Sequence, residues 1–255
     1  MGKIVYATLS PPEKVEKYQT IIRDKEWQSI VHAVPAKSTF LDVGCGAGYH
    51  MFLAHRDRQC RCFGIDPQPG AHGVGRYQKH FGVEGEIIKA NSENLPFPDE
   101  HFDVVFCAHV LEHVNDEHRT LQEIHRVAKK NGTIIIGVPT ASMAFIHLIS
   151  DILFTTHIKI YEFIRNIFSK EAFHKLADIF TVPSHSYPRA RTVCYDLQHY
   201  RISNWQRLIS TYFSIRELIK PGLYPFPDYP QLFPFHKSII GSSSVFFICN
   251  KKIHS

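Results

Sequence analysis

The sequence predicts an α/β fold with a parallel sheet, and three observations carry that expectation. Strand-length apolar runs at 39–43, 60–65, 85–89, 102–107 and 133–138 alternate with polar or helical segments, the pattern of strands joined by crossovers. The first run leads directly into three glycines at alternate positions, Gly44, Gly46 and Gly48. After Pro139 the texture changes. Residues 1–139 carry a net charge of −1 and residues 140–255 a net charge of +6, and 20 of the 32 aromatic residues lie in that second part.

Taken in order, residues 11–34 read as a helix. Pro11 and Pro12 open it, and Val15, Tyr18, Ile22 and Ile30 recur at helical spacing. The five apolar runs follow, and Asn131-Gly132 before the last of them reads as a helix C-cap or turn. Beyond Pro139, Phe145, Leu148, Ile149, Ile152 and Leu153 share one helical face. Ile160, Phe163, Ile164, Ile167 and Phe168 share another. Residues 181–201, with Pro183 and Pro188, read as loop, and 203–211 as a short helix. Residues 212–219 and 245–249 read as two more strands. Between them, 221–234 holds five prolines in 14 positions and reads as loop.

Composition bounds the class. The chain has 255 residues, 44% hydrophobic and 21% charged, which is ordinary globular usage and excludes disordered, collagen-like and coiled-coil chains. Six cysteines with no C-x-x-C pair give no support to a zinc or thioredoxin site. Residues 1–10 are too polar for a secretory leader, and no run of about 18 apolar residues suggests a membrane span. A reducing, cytoplasmic setting is expected.

The glycine loop carries the chemistry. Glycine lets the backbone turn and approach a ligand without a Cβ in the way. Asp42, at the strand end, can accept from an ammonium group, and the helix start that follows offers N–H groups to a carboxylate. An amino-acid moiety carries both groups. A dinucleotide site needs G-x-G-x-x-G, and the sixth position from Gly44 is Tyr49. A P-loop fails for want of Gly-Lys-Ser/Thr. Asp66, about 20 residues on at the end of the second run, is placed for ribose hydroxyls. Asn91 and Ser92 follow the third run and can meet an adenine edge, Asn91 through its side chain and Ser92 through its backbone.

Residues 38–139 resemble the class I S-adenosylmethionine-dependent methyltransferases, and most closely the subgroup of ubiquinone and menaquinone biosynthesis enzymes. The match lies in D-x-G-x-G-x-G at 42–48, in A-N-S-E-N-L-P-F-P-D-E-H-F-D at 90–103, and in L-Q-E-I-H-R-V-A-K-K-N-G at 121–132. The resemblance implies a Rossmann-like, doubly wound sheet of seven strands, the last antiparallel, in one domain spanning 1–255. Residues 38–139 would be the cofactor-binding core, 140–202 an α-helical lid and acceptor insertion, and 203–255 a helix and strands completing the sheet. It implies S-adenosyl-L-methionine as cofactor. Asp42, Gly44, Cys45 and Gly46 would hold the methionine part, Asp66 the ribose, and Asn91 with Ser92 the adenine. Gly48, Pro67, Glu93 and Cys107 are counted with them as cofactor-binding. The family's usual Asp is Asn91 here, and its Lys-Pro-Gly-Gly is Lys129-Lys130-Asn131-Gly132.

Residues 107–113 read Cys-Ala-His-Val-Leu-Glu-His. H-x-x-E-H is a zinc motif in other folds, and some ubiquinone O-methyltransferases carry E-x-x-E-H as a metal site at this place. The plain alternative is a hydrogen-bonding turn at a helix start, and no metal is assigned. A histidine near the methyl group can also take a proton from a hydroxyl, and His109, then His113, are the candidate bases. Methyl transfer otherwise asks mainly for positioning, since the sulfonium is already activated.

The expected function is methyl transfer from S-adenosylmethionine to a small-molecule or lipid-like acceptor, at oxygen. The apolar helices at 143–168, flanked by Lys159, Arg165, Lys170 and Lys175, suit peripheral contact with a membrane surface. Arg189, Arg191, Arg201 and Arg207 are scattered, and nucleic acid is disfavoured. The alternatives are a catalytically silent cofactor-binding module and an RNA methyltransferase.

Overall fold

The computed structural model describes residues 12–70, 85–154, 156–165, 182, 192–224 and 241–252. Its strands are β1 (Thr39–Val43), β2 (Arg61–Asp66), β3 (Gly85–Lys89), β4 (Phe102–Ala108), β5 (Ala128–Pro139), β6 (Phe213–Ile219) and β7 (Ser244–Lys251). Its helices are α1 (Pro12–Ile30), α2 (Tyr49–Arg58), α3 (Glu117–Val127), α4 (Ala141–Phe154), α5 (Thr156–Arg165), α6 (Val193–His199) and α7 (Ile202–Ile209). The strands form one seven-stranded sheet in the order β3-β2-β1-β4-β5-β7-β6. The first five are parallel, and β7 runs antiparallel to both β5 and β6. The doubly wound fold with its last strand reversed is therefore present.

Strand alternation divides the core into two layers. Leu41, Val43, Val105, Cys107, Ile134 and Ile136 face one side, where Leu121 and Ile124 of α3 and Trp205 and Ile209 of α7 pack on them. Phe40, Val104, Phe106 and Ile135 face the other, against Trp27 and Ile30 of α1 and Met51 and Leu53 of α2. Helix α3 shows why such a segment folds as it does. Asp116 caps its start by accepting from Arg119 N at 3.0 Å, and Leu121, Ile124 and Val127 form its buried stripe.

Two expectations need correction. Asn131-Gly132 does not cap a helix: α3 ends at Val127, Ala128 is already extended (φ −72°, ψ 137°), and β5 starts there. The register against β4 then jumps from Ala128↔Phe102 to Thr133↔Val104, so 129–132 bulge out of the ladder. A Cβ on Gly132 would lie 3.0 Å from Lys129 O and 3.2 Å from Phe102 O. The second correction is α6, which stands inside the stretch read as loop and buries Val193 and Asp196. Ile167, Phe168, Lys170, Lys175, Pro183, Pro188, Arg189, Arg191 and most of the proline-rich loop lie outside the described residues, as do the side chains of Val15 and Tyr18.

Gly137, in the middle of β5–β7 pairing, marks a close approach. A Cβ there would meet Phe246 Cε1 at 2.4 Å. Overpacking of that kind costs about 1–3 kcal/mol. Gly137→Ala should lower the thermal midpoint by several degrees, and an unchanged midpoint would refute the close fit.

Candidate functional site

The site forms at the C-terminal edge of β1, β2 and β4. Gly44, Gly46 and Gly48 all take positive φ (75°, 53° and 86°), a conformation that costs a side chain steric strain. Gly44 also has no room for one, because a Cβ would lie 2.3 Å from Val110 Cγ2. The glycine loop thus lies directly against the chain that leaves β4. Gly44 N and Cys45 N donate to Ile65 O at 2.8 and 2.9 Å, and Gly46 N donates to Asp66 Oδ2 at 2.9 Å. Asp66 Oδ1 accepts from Gln68 N at 2.7 Å. Helix α2 begins just past the loop, with Gly48 as its N-cap, and first-turn N–H groups of a helix have no partner within it.

Asp42 stands at the end of β1 with 2% of its surface exposed, and its Oδ2 has no hydrogen-bond partner. Burial, helped by neighbouring Asp66, pushes its carboxyl up to about 8. A buried carboxyl left so is costly, and an ammonium group is the ligand that would satisfy it.

The third segment is used differently from residue to residue. Asn91 is exposed after β3, while Ser92 is buried and its Oγ lies 3.1 Å from Thr120 Oγ1. Glu93 Oε1 accepts from Asn115 N and Asp116 N at 2.9 and 3.0 Å. Its side chain organises the start of α3. The L-x-E-x-x-R signature acts on the same loop. Glu123 accepts from Leu95 N, and Arg126 donates to Leu95 O, Phe97 O, Asp99 and Glu123. Pro67 is exposed beside Asp66. Cys107 sends its thiol into the core layer under α3, and its backbone is paired opposite Val43 of β1 and Ile136 of β5.

His109 follows β4 with φ +58°, and its N donates to Gly137 O at 2.9 Å. Its Nε2 lies 3.2 Å from Glu26 Oε2. Glu26 is fully buried and also accepts from Arg23 Nη1 at 2.7 Å, Tyr224 OH at 3.0 Å and Ser244 Oγ at 2.5 Å. Burial alone would raise its pKa, but His109 and Arg23 outweigh that and hold it well below the usual carboxylate range. An ionised Glu26 can only accept, so the network assigns the His109 proton to Nε2 and leaves Nδ1 its lone pair. Burial, with Arg23 nearby, lowers the His109 pKa and keeps the ring neutral. Glu112 and His113 stand on the single 3-10 turn after Val110. His109 Nδ1 is 3.8 Å and His113 Nε2 4.0 Å from Glu112 Oε1. Among the described residues no three His, Cys, Asp or Glu side chains form a metal-holding group.

Residues 41–136 match the sequence profile described as a methyltransferase domain. The likeness to that domain covers less than half of the chain. Over 103 residues the chain is 32% identical to the uncharacterized methyltransferase YcgJ of Bacillus subtilis, covering 40% of each chain. Over 102 residues it is 33% identical to ajmaline N-methyltransferase of Rauvolfia serpentina, covering 38% of this chain and 34% of that one. The chain spans about two fifths of the length of the curated relatives it matches. The fold extends further: a solved S-adenosylmethionine-dependent methyltransferase from Thermotoga maritima aligns over 93% of this chain and 91% of its own, with a TM-score of 0.55 and 19% identity. S-adenosylmethionine is the cofactor named for that solved neighbour, and the residues present here fit it. The unpartnered oxygen of Asp42 suits its ammonium, and the start of α2 its carboxylate.

The buried groups give the ligand-free protein a distinctive pH response. Burial raises Asp42 and Glu112 to about 8, so the stability they contribute is complete below the usual carboxylate range and is lost as pH rises to about 8. Burial lowers His50 to about 3 and His147 to about 4, so their contribution is complete above pH ~6.5 and is lost only as pH falls. The two effects oppose each other below pH ~6.5. Among the described residues the carboxyls act alone between pH ~6.5 and ~8, and stability should fall by the uptake difference of about one proton per carboxyl. Asp42→Asn should remove roughly half of that slope in denaturant unfolding. An identical slope in the variant would show that Asp42 is not held protonated.

Proposed function

We propose that the protein transfers the methyl group of S-adenosylmethionine to oxygen on a small-molecule or lipid-like acceptor. The observation that carries the reading is His109. It lies on the segment against which the glycine loop packs, fixed by Glu26 through Nε2, with the Nδ1 lone pair available. The acceptor oxygen would form its bond to the methyl carbon as the carbon–sulfur bond breaks, and its proton would pass to His109 Nδ1. Asp42, the loop at Gly44–Gly48 and Asp66 would hold the cofactor, and Asn91 with the Ser92 backbone would face its adenine.

A lipid-like acceptor is supported by α4 and α5. Phe145, Ile152, Leu153, Ile160, Tyr161 and Ile164 are exposed on these helices, more apolar surface than isolated exposed residues explain. Among the described residues no helix is long and apolar enough to cross a membrane, so contact there would be peripheral. The likeness of 90–103 to quinone-biosynthesis enzymes points the same way.

The test is incubation with methyl-labelled S-adenosylmethionine and a detergent-solubilised lysate, followed by phase partition. Protein-dependent label in the organic phase is the expected result. Label confined to the aqueous phase would sink the lipid-like acceptor and leave a polar one. No protein-dependent label in lysates from several sources would overturn methyl transfer itself.

A further inference from the structure

Arg23 stands on α1 three residues before Glu26 and donates from Nη1 to Glu26 Oε2 at 2.7 Å. Among the described residues that is its only hydrogen bond. A guanidinium carries five N–H donors in a fixed fork, so the edge formed by Nε and Nη2 is left unused. The Arg23 side chain keeps 25% of its surface accessible, while those of Glu26, His109 and Glu112 keep 0%, 11% and 0%.

The contacts of Arg23 place this edge in the site. Glu26 Oε2 accepts from Arg23 Nη1 and also from His109 Nε2, at 3.2 Å. The guanidinium thus sits one carboxylate oxygen away from the candidate base. It also acts through space on Glu112 and on His50, which lies in the first turn of α2 beside the glycine loop. Arg23 is therefore the accessible member of a buried polar cluster between the glycine loop and the chain after β4.

Charge selects what such an edge binds. Burial keeps the His50 and His109 rings neutral and raises the Glu112 carboxyl to about 8. Arg23 and Glu26 then carry the full charges of this cluster at neutral pH. The Glu26 charge is shared among four donors, from Arg23, His109, Tyr224 and Ser244. The Arg23 charge has the one contact.

We infer that the methyl acceptor is a hydroxy acid whose carboxylate docks on the Nε–Nη2 edge of Arg23, which holds its hydroxyl toward His109. Two parallel N–H groups match the two oxygens of a carboxylate, in a pairing stronger and more directional than a bond to a neutral carbonyl. An amide offers one oxygen where a carboxylate offers two, and an amine is repelled. The bound acid as methyl acceptor rests on the function proposed above. Carboxylate binding at Arg23 itself needs no cofactor.

Benzoate and benzamide, nearly equal in shape, are the probes, titrated by calorimetry. Benzoate should bind at least tenfold more tightly than benzamide. Arg23→Gln should erase that preference by weakening benzoate alone. Arg23→Lys keeps a charge for Glu26 but has no fork. Its benzoate affinity should lie between the two, and it decides the matter where Arg23→Gln does not fold. Equal affinities in the wild-type protein, or a benzoate affinity unchanged by either folded substitution, would overturn the assignment. S-adenosylhomocysteine is titrated separately. A benzoate preference that depends on Arg23, without cofactor binding, would keep the carboxylate site and remove the methyl-transfer reading.

Discussion

Glu26→Ala should destabilise the protein by about 3–5 kcal/mol, the range for breaking a buried ion pair by removing one partner. The carboxylate collects four donors, from Arg23, His109, Tyr224 and Ser244. Truncation takes this acceptor from all four, and the Arg23 charge loses its counter-ion. The network also ties α1 to the segment after β4, to the chain following β6, and to β7. At roughly 2–4 °C per kcal/mol for a chain of this size, the thermal midpoint should drop by about 6–20 °C. Glu26→Gln separates the two roles of the residue. It keeps the volume and one carbonyl oxygen, but turns an amide NH₂ toward donors on Arg23 or His109. That variant should remain folded and lose methyl transfer, because His109 no longer has a fixed tautomer. A loss below about 1 kcal/mol in Glu26→Ala, measured by denaturant unfolding, would show that the network holds nothing together.

Glu26 also marks where sequence reading stops. The five parallel strands and the glycine loop were legible because each is encoded within a few residues. Apolar runs set the strands, and alternate glycines set a turn that a β-carbon would obstruct. Glu26 sits on a helix read from its apolar spacing alone, and its partners lie 83, 198 and 218 residues away. No local pattern joins them. A charged residue on the inward face of α1, beside Trp27 and Ile30, was the available signal. Glu93 shows the converse. It falls inside the recognised 90–103 segment, and one of its carboxyl oxygens, Oε1, serves Asn115 N and Asp116 N at the start of α3. A segment signature records loop architecture and ligand contacts together, and only the fold separates them. Asn131-Gly132 reads as a helix C-cap or as a turn, and the register of β5 removes the C-cap and leaves a local bulge. Helix α6 was missed because Pro183 and Pro188 dominate the composition just before it.

Asp66→Ala should weaken S-adenosylmethionine binding about a hundredfold or more, on the scale of about 1.4 kcal/mol per tenfold. Two losses combine. The carboxyl group pins the glycine loop by accepting from Gly46 N, and the chain after β2 by accepting from Gln68 N. Each oxygen retains a lone pair for a ribose hydroxyl. Hydrogen bonds to a charged group contribute about 1.5–3 kcal/mol each, so either role alone supports a measurable loss. A double-mutant cycle separates them. S-adenosylhomocysteine and its 2′-deoxy analogue are titrated into wild type and Asp66→Ala by calorimetry. If Asp66 binds the ribose, the analogue is weaker than the parent in wild type and equal to it in the variant. If Asp66 only pins the loop, the variant lowers both affinities by the same factor. Unchanged affinity for S-adenosylmethionine in Asp66→Ala would remove the cofactor from this edge of the sheet altogether. Asp42, Asn91 and the glycine loop would then need another ligand to explain why one carboxyl oxygen, Asp42 Oδ2, is left unpartnered at the end of β1.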